Sequence, residues 1–202
     1  MVRMHCDLSL YCDDRDMNEK LRESVLKSQI VMRKGYPYFV SSAADGVPPM
    51  EPELLDEITD SMIRIGNFDC DLIAAPEAMG IPLAVEISRK LGIPYVVIRK
   101  KSYGLPGEVP VVQRTGYSES VMYINSIFKG DRVTIVDDVL STGGTIAAMV
   151  EAMRDKIGCD IVDIVMVFDK NGDRSFLERR IGMSIKTLLK VTISEGRVRI
   201  LD

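Results

Sequence analysis

Apolar residues recur in two modes along this chain, as short β-branched runs and as longer stretches with a repeat of three to four residues. The runs Asp71–Ala75, Tyr95–Ile98, Val121–Ile124, Val133–Val136 and Ile161–Phe168 have the length and composition of buried strands. Helical spacing appears between them: Leu83, Ile87 and Leu91 lie within Gly80–Leu91, which Gly92 stops, and apolar residues recur again over Ile146–Met153. Upstream, Leu54, Ile58, Met62 and Ile65 mark one face of a helix from Glu51 to about Ile65, with Pro52 in its first turn. Leu21, Val25 and Leu26 mark another, capped by Asn18 and reaching about Ile30. Residues 35–50 carry Gly and Pro too densely for regular structure, yet are rich in aromatic and apolar groups, and so read as a loop able to pack as a lid. Residues 184–202 read as a closing hairpin that turns at Ser194–Arg197. Strands alternating with helices predict an α/β fold, a mainly parallel sheet flanked by helices, with a ligand crevice beyond the carboxyl ends of the strands.

The length, 202 residues, suits one well-buried α/β domain, expected over 17–202, preceded by a polar leader over 1–16 without amphipathic pattern; Met17 is a candidate true start. A formal charge of −4 gives no global case for nucleic acid. Cys6, Cys12, Cys70 and Cys159 form no Cys-x-x-Cys pair, so neither a zinc site nor a disulfide scaffold is indicated, and they read as reduced thiols of a cytoplasmic protein. No apolar stretch approaches the roughly 20 residues that span a bilayer, so no membrane partner is expected. His5 is the only histidine, which excludes mechanisms needing a histidine pair.

Chemistry concentrates in residues 133–145, where an apolar strand runs into Asp137 and Asp138, then a turn of small residues, then a helix. Ser141, Thr142, Gly143, Gly144 and Thr145 can offer backbone N–H groups and hydroxyls at a helix N-terminus, where unpaired donors and the dipole favour phosphate. Carboxylates repel phosphate, so Asp137 and Asp138 suit the other end of the same ligand: sugar hydroxyls, a divalent cation or a developing positive charge. A sugar phosphate satisfies both ends. Neither a P-loop nor a dinucleotide-binding glycine motif is present. An ordinary strand-to-helix turn with a capping Ser or Thr is the bland alternative.

All thirteen positions of this stretch match the phosphoribosyl-pyrophosphate (PRPP) signature of the type I phosphoribosyltransferases, and the chain most resembles their purine branch, closest to archaeal hypoxanthine/guanine enzymes. The resemblance implies that fold, with an N-terminal hood drawn from about residues 30–50, and phosphoribosyl transfer from PRPP to a free purine with Mg²⁺. It gives Asp137 and Asp138 the ribose and, indirectly, the metal, and gives Ser141–Thr145 the 5′-phosphate. It assigns Glu77, Ala78, Met79 and Gly80 to a pyrophosphate loop of often unusual peptide geometry. Arg99, Lys100 and Lys101 begin a long loop that closes over PRPP, sometimes meeting pyrophosphate from the neighbouring subunit of a homodimer; Tyr103, Thr115 and Tyr117 are further candidates there. Phe168 and Lys170 look like the pair that stacks on a 6-oxopurine and donates to its carbonyl, with Phe39 in the hood. Adenine offers an ammonium no acceptor at that position, which favours hypoxanthine or guanine, although Lys170 as a solvated turn residue stays open. Ser141 departs from the pattern, standing where many hypoxanthine-guanine enzymes have an aspartate. No side-chain base is therefore assigned; water, Asp169 or a lid carboxylate could take the purine proton. An adenine enzyme, or a non-catalytic sensor on the same fold, are the alternatives.

Overall fold

The computed structural model describes residues 18–33, 35–115, 118–170 and 172–201, and the side chains of 113–120 are excluded from that description. The leader with His5, Cys6 and Cys12, and also Met17, Tyr117, Asn171 and the Thr115 side chain, lie outside the described residues.

Six strands form the central sheet. They are β3 (Leu72–Pro76), β4 (Tyr95–Ile98), β7 (Arg132–Leu140), β8 (Asp160–Asp169), β9 (Lys186–Ser194) and β10 (Arg197–Leu201), in spatial order β10-β9-β8-β7-β3-β4. Every pair is parallel except the terminal β9–β10 hairpin, which turns at Glu195 and Gly196 as the sequence predicts. Strand side chains alternate between two cores. Ile73, Ala75, Val165 and Val167 join one with α3 (Pro52–Ile65) and α4 (Gly80–Leu91), while Ala74, Val133, Ile135, Ile164 and Met166 join the other with α5 (Gly144–Glu151). Burial on both faces explains why these strands read as continuous apolar runs.

Neighbouring strands β3 and β7 are followed by helices on opposite faces, α4 in the first core and α5 in the second. The chain therefore diverges after these two strands, and divergence opens a crevice at their carboxyl ends. Both motifs singled out in the sequence, 76–80 and 137–145, lie at that point.

Several elements differ from expectation. The first helix, α1 (Glu19–Leu26), stops short of Ile30, and residues 29–40 form an antiparallel hairpin, β1 (Gln29–Arg33) with β2 (Tyr36–Val40), rather than helix and loop. Ile30 and Val31 favour a pleated strand, and Gly35 supplies the positive φ of +83° that the turn requires. Asn18 does not cap α1: it is left-handed at φ 68° and its side chain accepts nothing. Glu57 of α3 does the capping across the fold, its carboxylate accepting from the backbone N–H groups of Lys20 (3.1 Å) and Leu21 (2.8 Å). Val121–Ile124 belongs to β6 (Ser118–Ile124), which pairs with β5 (Val109–Thr115) in a ribbon outside the main sheet. Val111, Met122 and Ile124 seat this ribbon on the α5 core, so the long 99–117 segment is only partly loop. Two short helices, α2 (Ser42–Asp45) and α6 (Ser175–Ile181), were too short to show periodicity, and α5 continues into a π-helical turn, Ala152–Ile157.

Candidate active site

Strand β7 continues through both acids to Leu140, because Asp137, Val139 and Leu140 are still paired with Met166, Phe168 and Asp169 of β8. Asp137 and Asp138 are thus held on a strand. Their side chains are half-buried at the crevice, and the Asp138 N–H donates to Asp137 Oδ1 at 2.9 Å. Burial raises both carboxyls above the usual aspartate range, with the Asp138 charge adding to the effect at Asp137 and the Lys100 ammonium opposing it. Two such groups side by side form a site short of positive charge.

Beyond Leu140 the turn runs over exposed Ser141 and Thr142 into Gly143, at φ 76°, the residue before α5. Only glycine fits there on two counts: the left-handed backbone, and a Cβ that would collide with the Leu177 side chain of α6. Asp137, Ser141, Thr142, Gly143 and Thr145 line a small cleft of about 70 Å³. On the other side of the crevice the Glu77–Ala78 peptide is cis, and Gly80 opens α4 so close to β7 that a Cβ would stand 3.0 Å from the Val136 carbonyl oxygen and 3.1 Å from Asp137 Oδ1. Met79 is half-buried and Ala78 exposed.

The basic run separates by residue. Arg99 Nε lies 2.9 Å from Glu77 Oε2, though not aligned as a hydrogen bond, while its backbone bridges to Tyr123. Lys100 is exposed and close enough to act on Asp137; Lys101 is exposed with its ammonium 6.0 Å from the Tyr103 ring. The following loop is folded around Glu108, which sequence reading missed. Its carboxylate accepts from Ser102 Oγ, from the N–H groups of Tyr103 (2.8 Å) and Gly104 (3.3 Å), and from Asn125 Nδ2 (3.0 Å), and these donors hold it down to about 2.

At the third corner, the Lys170 N–H donates to the Leu140 carbonyl at 2.8 Å, which fixes the end of β8 beside the signature turn. Lys170 Nζ lies 3.7 Å from the Phe39 ring centre and 4.7 Å from that of Tyr38, so it faces the hood and is not a solvated turn residue. Burial draws it below the usual lysine range, against the charges of Asp45 and Asp138. Phe39 and Phe168, expected to face a base, instead pack edge-on with centres 5.5 Å apart and are 1% and 0% exposed, because the hood hairpin lies down on the end of β8. Asp169 is also buried, with Arg174 Nη1 3.3 Å from its carboxylate. Tyr38 went unassigned in the sequence, and Asp45 entered only as an unnamed lid carboxylate that could take the purine proton.

The phosphoribosyl transferase domain family matches residues 52–187, the segment that holds both loops and Lys170. A hypoxanthine/guanine phosphoribosyltransferase from Methanothermobacter thermautotrophicus is 46% identical over 186 residues, covering 92% of this chain and 96% of the relative. An HGPRTase-like protein from Halorubrum lacusprofundi is also 46% identical, covering 91% and 97%. Among solved structures, adenine phosphoribosyltransferase from Leishmania tarentolae superposes with a TM-score of 0.71 at 22% identity, covering 89% of each chain, a likeness that speaks to fold alone. The signature strand and turn, the crevice where β3 and β7 diverge, and relatives nearly half identical over most of their length agree: the chain belongs to the phosphoribosyl transferase family.

Proposed function

We propose that this protein transfers the phosphoribosyl group of PRPP to hypoxanthine or guanine, giving the purine nucleoside 5′-monophosphate and pyrophosphate, a purine salvage reaction. The observation that carries the choice of base is Lys170, a half-buried ammonium at the carboxyl end of β8 facing the hood. An ammonium donates to the carbonyl of a 6-oxopurine and has no acceptor to meet on adenine. The names of the archaeal relatives support the same choice.

In this reading Ser141–Thr145 receive the 5′-phosphate on backbone N–H groups and hydroxyls. Asp137 and Asp138 hold the ribose hydroxyls and oppose the positive charge that grows at C1′. The 77–80 loop and Lys100 take pyrophosphate, joined by Lys101 when the loop folded on Glu108 rearranges. Arg99 serves through its pairing with Glu77. Phe39 and Phe168 form the apolar wall behind Lys170, and residues 30–50 are the hood of one domain over 17–202. Among the described residues no three His, Cys, Asp or Glu side chains converge on a metal, but magnesium needs only one or two carboxylates plus substrate oxygens. Asp137 and Asp138, short of positive charge, fit it through PRPP and water. When bound, it neutralises the pyrophosphate and improves it as a leaving group. A cytoplasmic homodimer completes the proposal. No helix among the described residues is long and apolar enough to cross a membrane.

The test is to supply PRPP and Mg²⁺ with hypoxanthine, guanine, xanthine or adenine separately and quantify the nucleotide formed. Lys170→Ala should lower kcat/KM for hypoxanthine by about ten- to hundred-fold, the worth of a charge-assisted hydrogen bond, without weakening PRPP. Adenine as the best substrate, or a variant at parental efficiency, overturns the base assignment.

A further inference from the structure

Attack by a purine nitrogen on C1′ releases a ring proton, and the groups assigned above are poorly suited to receive it. A serine hydroxyl at 141 is a weak base near neutral pH. Asp169 is 2% exposed and committed to Arg174, Glu77 lies against Arg99, and Lys100, Lys101 and Lys170 act as cations. A hood carboxylate, Asp45, accepts from Tyr38, whose ring lies beside Lys170.

Asp45 ends α2 and is half-buried. Its Oδ1 accepts from the Tyr38 hydroxyl at 2.7 Å and its Oδ2 from the Ser41 N–H at 3.1 Å, which fixes the plane of the carboxylate and leaves lone pairs for another donor. The next residue, Gly46, has φ 67°, and a Cβ there would lie 3.9 Å from the Met79 side chain, so the end of α2 abuts the loop after β3. The Asp45 charge is felt at Lys170 and at Asp138. Through Tyr38, whose ring lies 4.7 Å from Lys170 Nζ, and through Gly46 beside Met79, Asp45 is near both the group that would hold the purine carbonyl and the loop that would hold pyrophosphate. The new carbon–nitrogen bond forms between those two ends.

We infer that the Asp45 carboxylate accepts the ring proton of the purine as its nitrogen attacks C1′, with Tyr38 as the positioning residue that orients it. The inference rests on the phosphoribosyl-transfer reading above. The nitrogen lone pair forms the bond to C1′, the bond from C1′ to the pyrophosphate oxygen breaks with its electron pair on oxygen, and the ring proton passes to Asp45 and then to water. Burial and the Asp45 carboxylate push the Tyr38 phenol above its ordinary range, so it stays a donor throughout. A base carried by the hood also ties proton transfer to a covered site, which keeps water from the reacting carbon.

The rival role for Asp45 is a hood latch, since Tyr38 and Ser41 both donate to it. Asparagine keeps one acceptor for the Ser41 N–H and can donate its NH₂ to the Tyr38 hydroxyl oxygen, but is no base, so Asp45→Asn separates the roles. Single-turnover rates are measured with PRPP and Mg²⁺ on hypoxanthine and on 8-azahypoxanthine, whose ring N–H is more acidic, with PRPP affinity by calorimetry and folding by thermal melting. Asp45→Asn should slow hypoxanthine about 10²- to 10⁴-fold with PRPP affinity within about twofold of parental, and the deficit should shrink roughly tenfold or more on the 8-aza base. Tyr38→Phe should show a smaller deficit, again reduced on the 8-aza base. An equal deficit on both bases, a loss of PRPP affinity, or parental rates in Asp45→Asn overturns the inference. If Asp45→Asn fails to fold, the two-base comparison in Tyr38→Phe decides. If the unmodified protein prefers adenine, the 6-oxopurine reading falls while the same comparison, run with adenine and 8-azaadenine, still decides on Asp45. If no base is used, both readings fall.

Discussion

Burial raises both Asp137 and Asp138, the Asp138 charge adds to the effect at Asp137, and the Lys100 ammonium offsets it there only in part. Such an arrangement persists when a positive partner arrives during the reaction. Asp137→Asn and Asp138→Asn should therefore each lower kcat by about 10²-fold or more while leaving the thermal midpoint unchanged or raised, measured by steady-state assay and calorimetric melting. Near-parental kcat in both would remove them from the chemistry. Gly143 makes the opposite case, a residue with no functional atom of its own. At φ 76° and against Leu177, Gly143→Ala should destabilise by about 1–3 kcal/mol in urea titration and weaken PRPP. Pairing it with Leu177→Ala should recover PRPP affinity in part, because the second change removes the collision and leaves the left-handed strain.

Elements here are held by residues far away in sequence as much as by their own. The helix α1 takes its N-terminal cap from Glu57 on α3, while Asn18 is buried with its Oδ1 unpartnered. Glu57→Ala should cost about 0.5–2 kcal/mol of stability, the range for losing a helix cap, whereas Asn18→Gly should cost nothing, since glycine accepts φ 68° without strain and removes a buried orphan oxygen. Chemical denaturation of the two variants distinguishes a tertiary cap from a local one. The hood hairpin follows the same logic. Its isolated two-stranded pairing is marginal, and Phe39 anchors it by burial against Phe168.

For the molecule as a whole, that contact between Phe39 and Phe168 joins the hood to the sheet beneath the site. Phe168→Ala should cost about 3–5 kcal/mol, read from urea unfolding, because a 0% exposed ring at a packed junction leaves a cavity that its neighbours cannot fill. A loss under about 1 kcal/mol would mean that the ring is free to serve the base instead. The sequence by itself determined the parallel sheet, its flanking helices α3, α4 and α5, and the small-residue turn after β7, because buried strands, amphipathic helices and turns into helices are local patterns with local causes. Tertiary structure alone decided the rest. The hairpin at 29–40 read as helix and loop, and only the second strand of the ribbon at 109–124 showed in the sequence; both pair outside the main sheet and pack on cores built by distant strands. Glu57 as a cap, Phe39 against Phe168, and Tyr38 stacked by Lys170 are pairings across the fold. A linear chain shows which groups can donate, accept or pack; which of them meet depends on how the layers close, and that closure is where this site takes its shape.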